Sequence, residues 1–186
     1  FSRKVLKKIK KNTILEIIYK RLSLSKSIRK IVFLIPKNKK NLPLLKYLIK
    51  KNYKYICGSE KNVLSRYYTA ANRFKSKYIL RVTSDCPFVD SQLIDQLFKK
   101  FLRKKINYAS NTNPPSFPDG FDIEIFDFQS LKKTFKSTSN KSDLEHVTPF
   151  LIRNKRFKKF NLKHKKDFSK HKLSIDTKED YIKVKK

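Results

Sequence analysis

Residues 78–104 read YILRVTSDCPFVDSQLIDQLFKKFLRK, and this stretch decides the fold. Its first five residues, Tyr78 to Val82, are apolar and rich in aromatic and β-branched side chains, as a short buried strand requires. Beyond Pro87, Leu93, Ile94, Leu97, Phe98, Phe101 and Leu102 recur at three- and four-residue spacing. That spacing predicts a helix over Ser91 to Lys104, with Asp90 or Ser91 placed to cap its first turn. Strand followed by helix is the unit of an α/β domain built on a largely parallel sheet. Asp85 then stands at the carboxyl end of a central strand, the edge where ligands bind in open α/β sheets.

The flanking sequence repeats the alternation. Strands are predicted at Ile31 to Ile35 and Tyr53 to Cys57, and helices over 13–24, 41–51 and 62–74. After Asn107 two short strand candidates, NYAS and IEIF, bracket the loop NTNPPSFPDG, which holds three of the seven prolines and one of the two glycines. A long ordered loop of that composition is more often a binding element than a linker. The 186 residues, 39% hydrophobic, therefore make one domain over 1–186, with no internal repeat.

Composition excludes several classes. Lysines interrupt every apolar run, so no stretch approaches the ~18 apolar residues of a membrane span. Cys57 and Cys86 form no spaced cluster with the three histidines, which argues against a disulfide framework or zinc site and fits a reducing cytoplasm. With two glycines there is no phosphate loop of the P-loop or dinucleotide type. The formal charge of +32 taken alone points to a polyanionic partner, but the bases are 38 Lys against 9 Arg, scattered rather than interleaved with exposed aromatics. No specific nucleic acid is expected. The chain opens at Phe1 and contains no Met, so an upstream piece is expected.

Acid placement is more informative than charge total. Only Glu16 precedes Glu60, and most later acids lie in SDCPFVD (84–90), PDGFDIE (118–124), DLEH (143–146) and SIDTKED (174–180). Asp176 follows the strand-like KLSI and precedes a last helix. Two strand-end carboxylates, Asp85 and Asp176, can share a hard divalent cation, since Mg2+ is commonly held by one or two carboxylates plus substrate phosphate oxygens. The alternative is that each caps the next helix, a role that Pro87 disfavours for Asp85 and that Asp176 can fill. Asp119, Asp122 and Glu124 alternate with apolar Phe121, Ile123 and Ile125, giving either the polar face of a strand or a set of hydrogen-bond acceptors for sugar hydroxyls. His146, beside Glu145, is either a donor to an anion or a structural histidine. Gly58 closes the strand ending at Cys57, where a tight turn can admit a base or ribose or serve only as a turn.

The segments GSEKNVLSRYYTAA (58–71), ILRVTSDCPFVDSQLID (79–95), YASNTNPPSFPDGFDIEIF (108–126), LEHVTPFLIRN (144–154) and SIDTKEDY (174–181), in this order, resemble the cytidylyltransferase family of the acylneuraminate and 3-deoxy-manno-octulosonate enzymes. The resemblance is closest to its spore-coat polysaccharide, SpsF-like branch. It implies a single-domain nucleotide-diphospho-sugar-transferase fold, GT-A-like and Rossmann-like, with a mostly parallel central sheet. It further implies CTP, Mg2+ and a small, acidic sugar as reactants, cytidylyl transfer with release of pyrophosphate, and a homodimer.

On that resemblance Asp85 and Asp176 hold the metal and Lys4 joins them in catalysis. Gly58, Ser59, Glu60, Arg66, Thr83 and Ser84, with Lys4, lie at the nucleotide, and Asn111, Asp119, Asp122, Glu124 and His146 face the sugar. The family begins with a strand and a basic, glycine-containing loop. Here Phe1, Ser2 and Arg3 depart from that loop's usual end and Lys4 matches its lysine, so the first strand and most of the nucleotide loop are missing. Three alternatives follow from the residues: a nucleotide-sugar-dependent glycosyltransferase, a basic module for nucleic acid or anionic surfaces, and an inactive remnant. The first would show an Asp-x-Asp motif, whereas Asp85 is followed by Cys86 and Pro87.

Overall fold

The computed structural model describes residues 4–185; Phe1, Ser2 and Arg3 lie outside the described residues. The sequence-derived helices form where expected, and all but the one at 42–50 start at a side chain that accepts an otherwise orphaned backbone N–H. In α1 (Ile14–Ser23), Thr13 and Glu16 make a reciprocal capping box, with Glu16 N donating to Thr13 Oγ1 and Thr13 N to Glu16 Oε2. Helix α2 spans Leu42–Lys50. Helix α3 (Val63–Arg73) is capped by Asn62 and α4 (Ser91–Lys104) by Asp90 rather than Ser91. A cluster of helices, α5 (Phe128–Ser137), α6 (Lys141–His146) and α7 (Pro149–Arg153), and a terminal α8 (Lys178–Lys185) complete the set. None is long and apolar enough to cross a membrane.

The strands fall into three sheets among the described residues. A small hairpin joins β1 (Lys8–Ile9) to β2 (Asn12–Thr13). Next, β3 (Phe33–Pro36) pairs in parallel with β4 (Tyr55–Gly58), both starting two residues later than the sequence pattern suggests. The main sheet has the order β5-β7-β6-β8, from Tyr78–Arg81, Glu124–Asp127, Tyr108–Ser110 and Lys159–Asn161. It is mixed: β6 and β8 are parallel, while β7 runs against both β5 and β6 because the 111–123 loop returns the chain alongside the strand it has just left. Residues 172–175, strand-like by pattern, form no ladder; they meet residue 119 only through a bridge.

Alternation along the buried strands builds two core layers. Ala109 and Ile125 face one way, towards Ile14 and Ile18 of α1 and Leu93, Ile94, Leu97 and Phe101 of α4. Tyr108 and Phe126 face the other, towards Leu64 of α3, Leu131 of α5 and Leu151 of α7. Helix α1 also reaches the smaller sheet, since Leu15 packs with Ile35 and Leu48. Beneath α5 and α7, buried Asp143 is held by Arg153 and Thr138, which compensates a charge that burial alone would not tolerate.

Two loops carry the site. Residues 116–119 zip onto 164–173: His164 N donates to Ser116 Oγ, Phe168 N to Ser116 O, Asp119 N to His171 O and Leu173 N to Asp119 O. Gly120 permits the close approach. Its φ is +105°, and a Cβ there would lie 2.6 Å from Ser174 N. Gly120→Ala should destabilise the protein by about 1–3 kcal/mol and speed amide exchange at Leu173, because the obstructing atoms are backbone; an unchanged melting temperature and unchanged exchange would refute the lock. A second expectation concerns Glu16, whose carboxyl is lowered from 4.5 to about 2, chiefly by Lys51 and the Thr13 N–H. A depressed carboxyl adds stability above its unfolded value and loses it as pH falls through the folded one. The melting-temperature advantage of wild type over Glu16→Gln should therefore shrink between pH 4.5 and about 2.

Candidate active site

Arg81 ends β5, and from there the chain turns sharply through 83–86, where Cys86 N donates to Thr83 O and the Thr83 hydroxyl meets Cys86 Sγ at 3.2 Å. The turn presents Asp85. Burial pushes the Cys86 thiol up to about 12, so it stays protonated and is a packing group, whereas Cys57 is exposed. From the far end of the chain, Ile175 N donates to the Asp85 carbonyl at 2.8 Å. That bond joins the segment that carries Asp176 to the turn that carries Asp85.

Asp176 is ringed by donors. Lys4 Nζ lies 3.4 Å from Oδ1 and also donates to Ile175 O at 2.6 Å; Lys172 Nζ is 3.3 Å from Oδ2. Ser174 Oγ sits 3.1 Å from the same Oδ2 and 2.7 Å from Asp119 Oδ2, so its one proton links the two carboxylates. Burial alone would raise the Asp176 carboxyl, but Lys172 and Ser174, with Lys4, hold it below its usual value. Asp180 supports the arrangement: one carboxylate oxygen accepts from Asp176 N, Thr177 N and Lys172 Nζ. The Asp176 side chain keeps 46% of its surface in solvent.

Asp122 faces the same ground. Burial first, then the charges of Asp119, Asp85 and Glu124, push its carboxyl up to about 6, against the pull of Arg81. Acids of two segments thus act on one another, Asp85 on the β5 turn and Asp119, Asp122 and Glu124 beyond it, while Ser174 ties Asp176 to Asp119. Glu124 is spoken for: Arg81 binds one oxygen and the Tyr108 hydroxyl donates to the other at 2.7 Å. Its place is inside the sheet, holding β5 to β7 and β6. Asn111, expected at the sugar, is 1% exposed, and both atoms of its amide are bonded to backbone at Phe121 and Ile123.

The nucleotide candidates on the other sheet form their own group. Gly58 ends β4 against Arg66 of α3, whose Cγ would lie 2.7 Å from a Cβ at that position. Arg66 is 6% exposed; it donates through Nη1 to Leu34 O, while its Nε is buried without a partner. Ser59 Oγ accepts from Asn62 N, and Glu60 accepts from Asn38 Nδ2. A cavity of about 410 Å³ opens nearby, lined by Pro36, Asn38, Leu45 and Cys57. A larger one, about 590 Å³, lies at the amino end of β5 against Tyr78 and Asp127, remote from the acids. Ser84 is exposed beside Asp85, and His146 is exposed on α6, which packs on α3 rather than beside Asp119 and Asp122.

Sequence reasoning passed over Ser174, Lys172, Arg81 and Tyr108. A signal was present for Arg81, since a lone arginine inside an apolar strand demands a buried partner. Ser174 sits two residues before Asp176 and so shares its side of an extended segment. Among the described residues no group of three or more His, Cys, Asp or Glu side chains is gathered closely enough to hold a metal. A hard cation such as Mg2+ takes only one or two carboxylates from a protein when a ligand's phosphate oxygens complete its shell.

A family model described as cytidylyltransferase matches residues 1–186. The uncharacterised protein MJ1063 of Methanocaldococcus jannaschii is 32% identical over 181 residues, 96% of this chain and 73% of its own length. The spore coat polysaccharide biosynthesis protein SpsF of Bacillus subtilis is 30% identical over 149 residues, which is 75% of this chain but 58% of SpsF. A solved cytidylyltransferase structure from Leptospira borgpetersenii superposes with a TM-score of 0.92 at 31% identity, covering 98% of this chain and 78% of that one. The resemblance carried by the five sequence segments, the α/β architecture and the convergent acids agree with these matches: the chain belongs to the cytidylyltransferase family.

Proposed function

We propose that the protein transfers a cytidylyl group from CTP to a hydroxyl of a small acidic sugar, in the synthesis of a cell-surface polysaccharide. The observation that supports this reading is the Ile175–Asp85 backbone bond, which joins the segments that carry Asp85 and Asp176, while Ser174 links Asp176 to Asp119 and the charges of Asp119 and Asp85 act on Asp122. In the reaction the sugar oxygen forms a bond to the α-phosphorus as the bond to the β-phosphate oxygen breaks, and pyrophosphate departs. Both the attacked group and the leaving group are polyanionic, so the protein must offset charge.

Asp85 and Asp176 would hold a divalent cation, Mg2+ on this reading, which supplies positive charge at the phosphate oxygens. Lys4 and Lys172 already flank Asp176 and would turn to those oxygens as the substrate enters. The exposed Ser84 hydroxyl and the Thr83 side chain border the same turn. Gly58, Ser59, Glu60 and Arg66 would receive the nucleoside; the unpartnered buried Nε of Arg66 supports this, since a ligand oxygen would satisfy it. Asp119 and Asp122 would accept from sugar hydroxyls. The free thiols of Cys57 and Cys86 fit a cytoplasmic setting.

With CTP, Mg2+ and a panel of acidic sugars, pyrophosphate release should fall by more than about tenfold in Asp85→Asn and in Asp176→Asn through weakened metal binding. Unchanged turnover in either variant removes that residue from the metal role, and no release by wild type with any sugar or with Mg2+ refutes the function. Asp122 allows a test independent of substrate. A carboxyl raised from 3.8 to about 6 costs stability once pH exceeds the folded value and costs nothing below the unfolded one. Asp122→Asn should raise the melting temperature at pH 8, and the gain should vanish as pH falls to 3.8. An equal gain at both ends of that range would show that charge is not the cause.

A further inference from the structure

The strands β6 and β7 pair as far as Ser110 opposite Glu124. One step further, Asn111 N donates to Ile123 O at 3.4 Å, but the returning bond is not to the Asn111 carbonyl. Ile123 N donates instead to the Asn111 side-chain Oδ1 at 2.9 Å, and Asn111 Nδ2 donates to Phe121 O, also at 2.9 Å. Ile123 N belongs to the peptide group on the carboxyl side of Asp122, and Phe121 O to the one on its amino side. One primary amide therefore grips both peptide groups flanking Asp122. The orientation is unique, because a flipped amide would set donor against donor and acceptor against acceptor. Asn111 and Ile123 are buried, so the Ile123 N–H has no water to turn to if the grip is lost.

The grip opposes a force. Asp122 shares its ground with Asp119 and Asp85, and like charges would swing an untethered loop outwards into solvent. A chain that spends a fully satisfied buried amide on holding a carboxylate among its like is preserving a position for use. We infer that Asn111 is a positioning residue: its side-chain amide holds the backbone on both sides of Asp122 and so sets where that carboxylate stands beside Asp119 and Asp85, and it makes no contact with substrate itself. The inference rests on the reading of the acid cluster as the active site, and it revises the expectation that Asn111 faces the sugar.

The test combines a double-mutant cycle with amide exchange, using the whole chain. Asn111→Ala should lower kcat for pyrophosphate release from CTP by about tenfold or more while KM for CTP and for the sugar moves less than about twofold, since the lost position is felt in the transition state. In an Asp122→Asn background the same substitution should change kcat by less than about twofold, because a residue acting through another has nothing further to lose. Exchange at the Ile123 amide should be faster by about a hundredfold in Asn111→Ala. Asn111→Asp, which keeps the acceptor for Ile123 and loses the donor to Phe121, should fall between, and it stands in should the alanine variant not fold.

A fall in kcat as large in the Asp122→Asn background as in wild type, or a rise in KM for the sugar with kcat intact, would make Asn111 a substrate ligand and overturn the proposal. Ile123 exchange unaltered in Asn111→Ala would overturn it as well. The exchange measurement needs no substrate, so wild type that releases no pyrophosphate refutes the cytidylyl-transfer reading while the grip on Asp122 is still decided by exchange.

Discussion

A single backbone hydrogen bond, from Ile175 N to the carbonyl of Asp85, is the constraint on which the site depends. Everything that makes position 85 useful is local to β5 and its turn, and everything that makes position 176 useful is local to the last thirty or so residues, yet neither has a chemistry alone. Lys4 reinforces the junction by binding the next carbonyl and the Asp176 carboxylate together. Three stretches of chain with no common secondary structure are thereby held at one spot by polar contacts between loops. The apolar layers on either face of β6 and β7 provide the rigid floor beneath them.

Electrostatically the molecule is inverted at this spot. A chain with 47 bases and 15 acids sets Asp122 among the charges of Asp119 and Asp85 and ties Asp176 to Asp119 through Ser174. The surrounding lysines make an anionic reactant welcome at long range, and the acids exclude it at short range unless a cation arrives with it. That combination suits a nucleotide delivered with its metal better than a naked polyanion such as nucleic acid. Ser174 and Lys172 are the parts that keep Asp176 ionised while Asp122 is pushed the other way, so adjacent carboxylates have different proton affinities.

Much of the fold was legible because its signals are local. Helix α4 is read to the residue from the spacing of Leu93, Ile94, Leu97 and Phe101, and Asp90 announces its start. Strand β5 is equally plain. The direction of β7 was not legible, because IEIF is as good a strand in either sense and only the return of the 111–123 loop decides. KLSI misled for a related reason: its alternation serves a segment that zips to residue 119 without entering a sheet. At the site, the two metal candidates were visible as acids after apolar runs, and the backbone bond that joins their segments is seen only in three dimensions. Glu124 and Asn111 were visible as polar residues near the loop, but both are buried with their polar atoms bonded inside the protein, a fact that alternation alone does not carry.

The span of the Lys4–Asp176 contact has a consequence for how the molecule comes into being. Its two ends are 172 positions apart, and the Ile175–Asp85 bond closes a loop of ninety. Such closures are entropically expensive and form late. During synthesis the β5 turn leaves the ribosome long before its partner segment exists, so the helical layers must be largely in place while the acids are still apart. The junction between the β5 turn and the segment around Ile175 thus closes after the layers that carry it have formed.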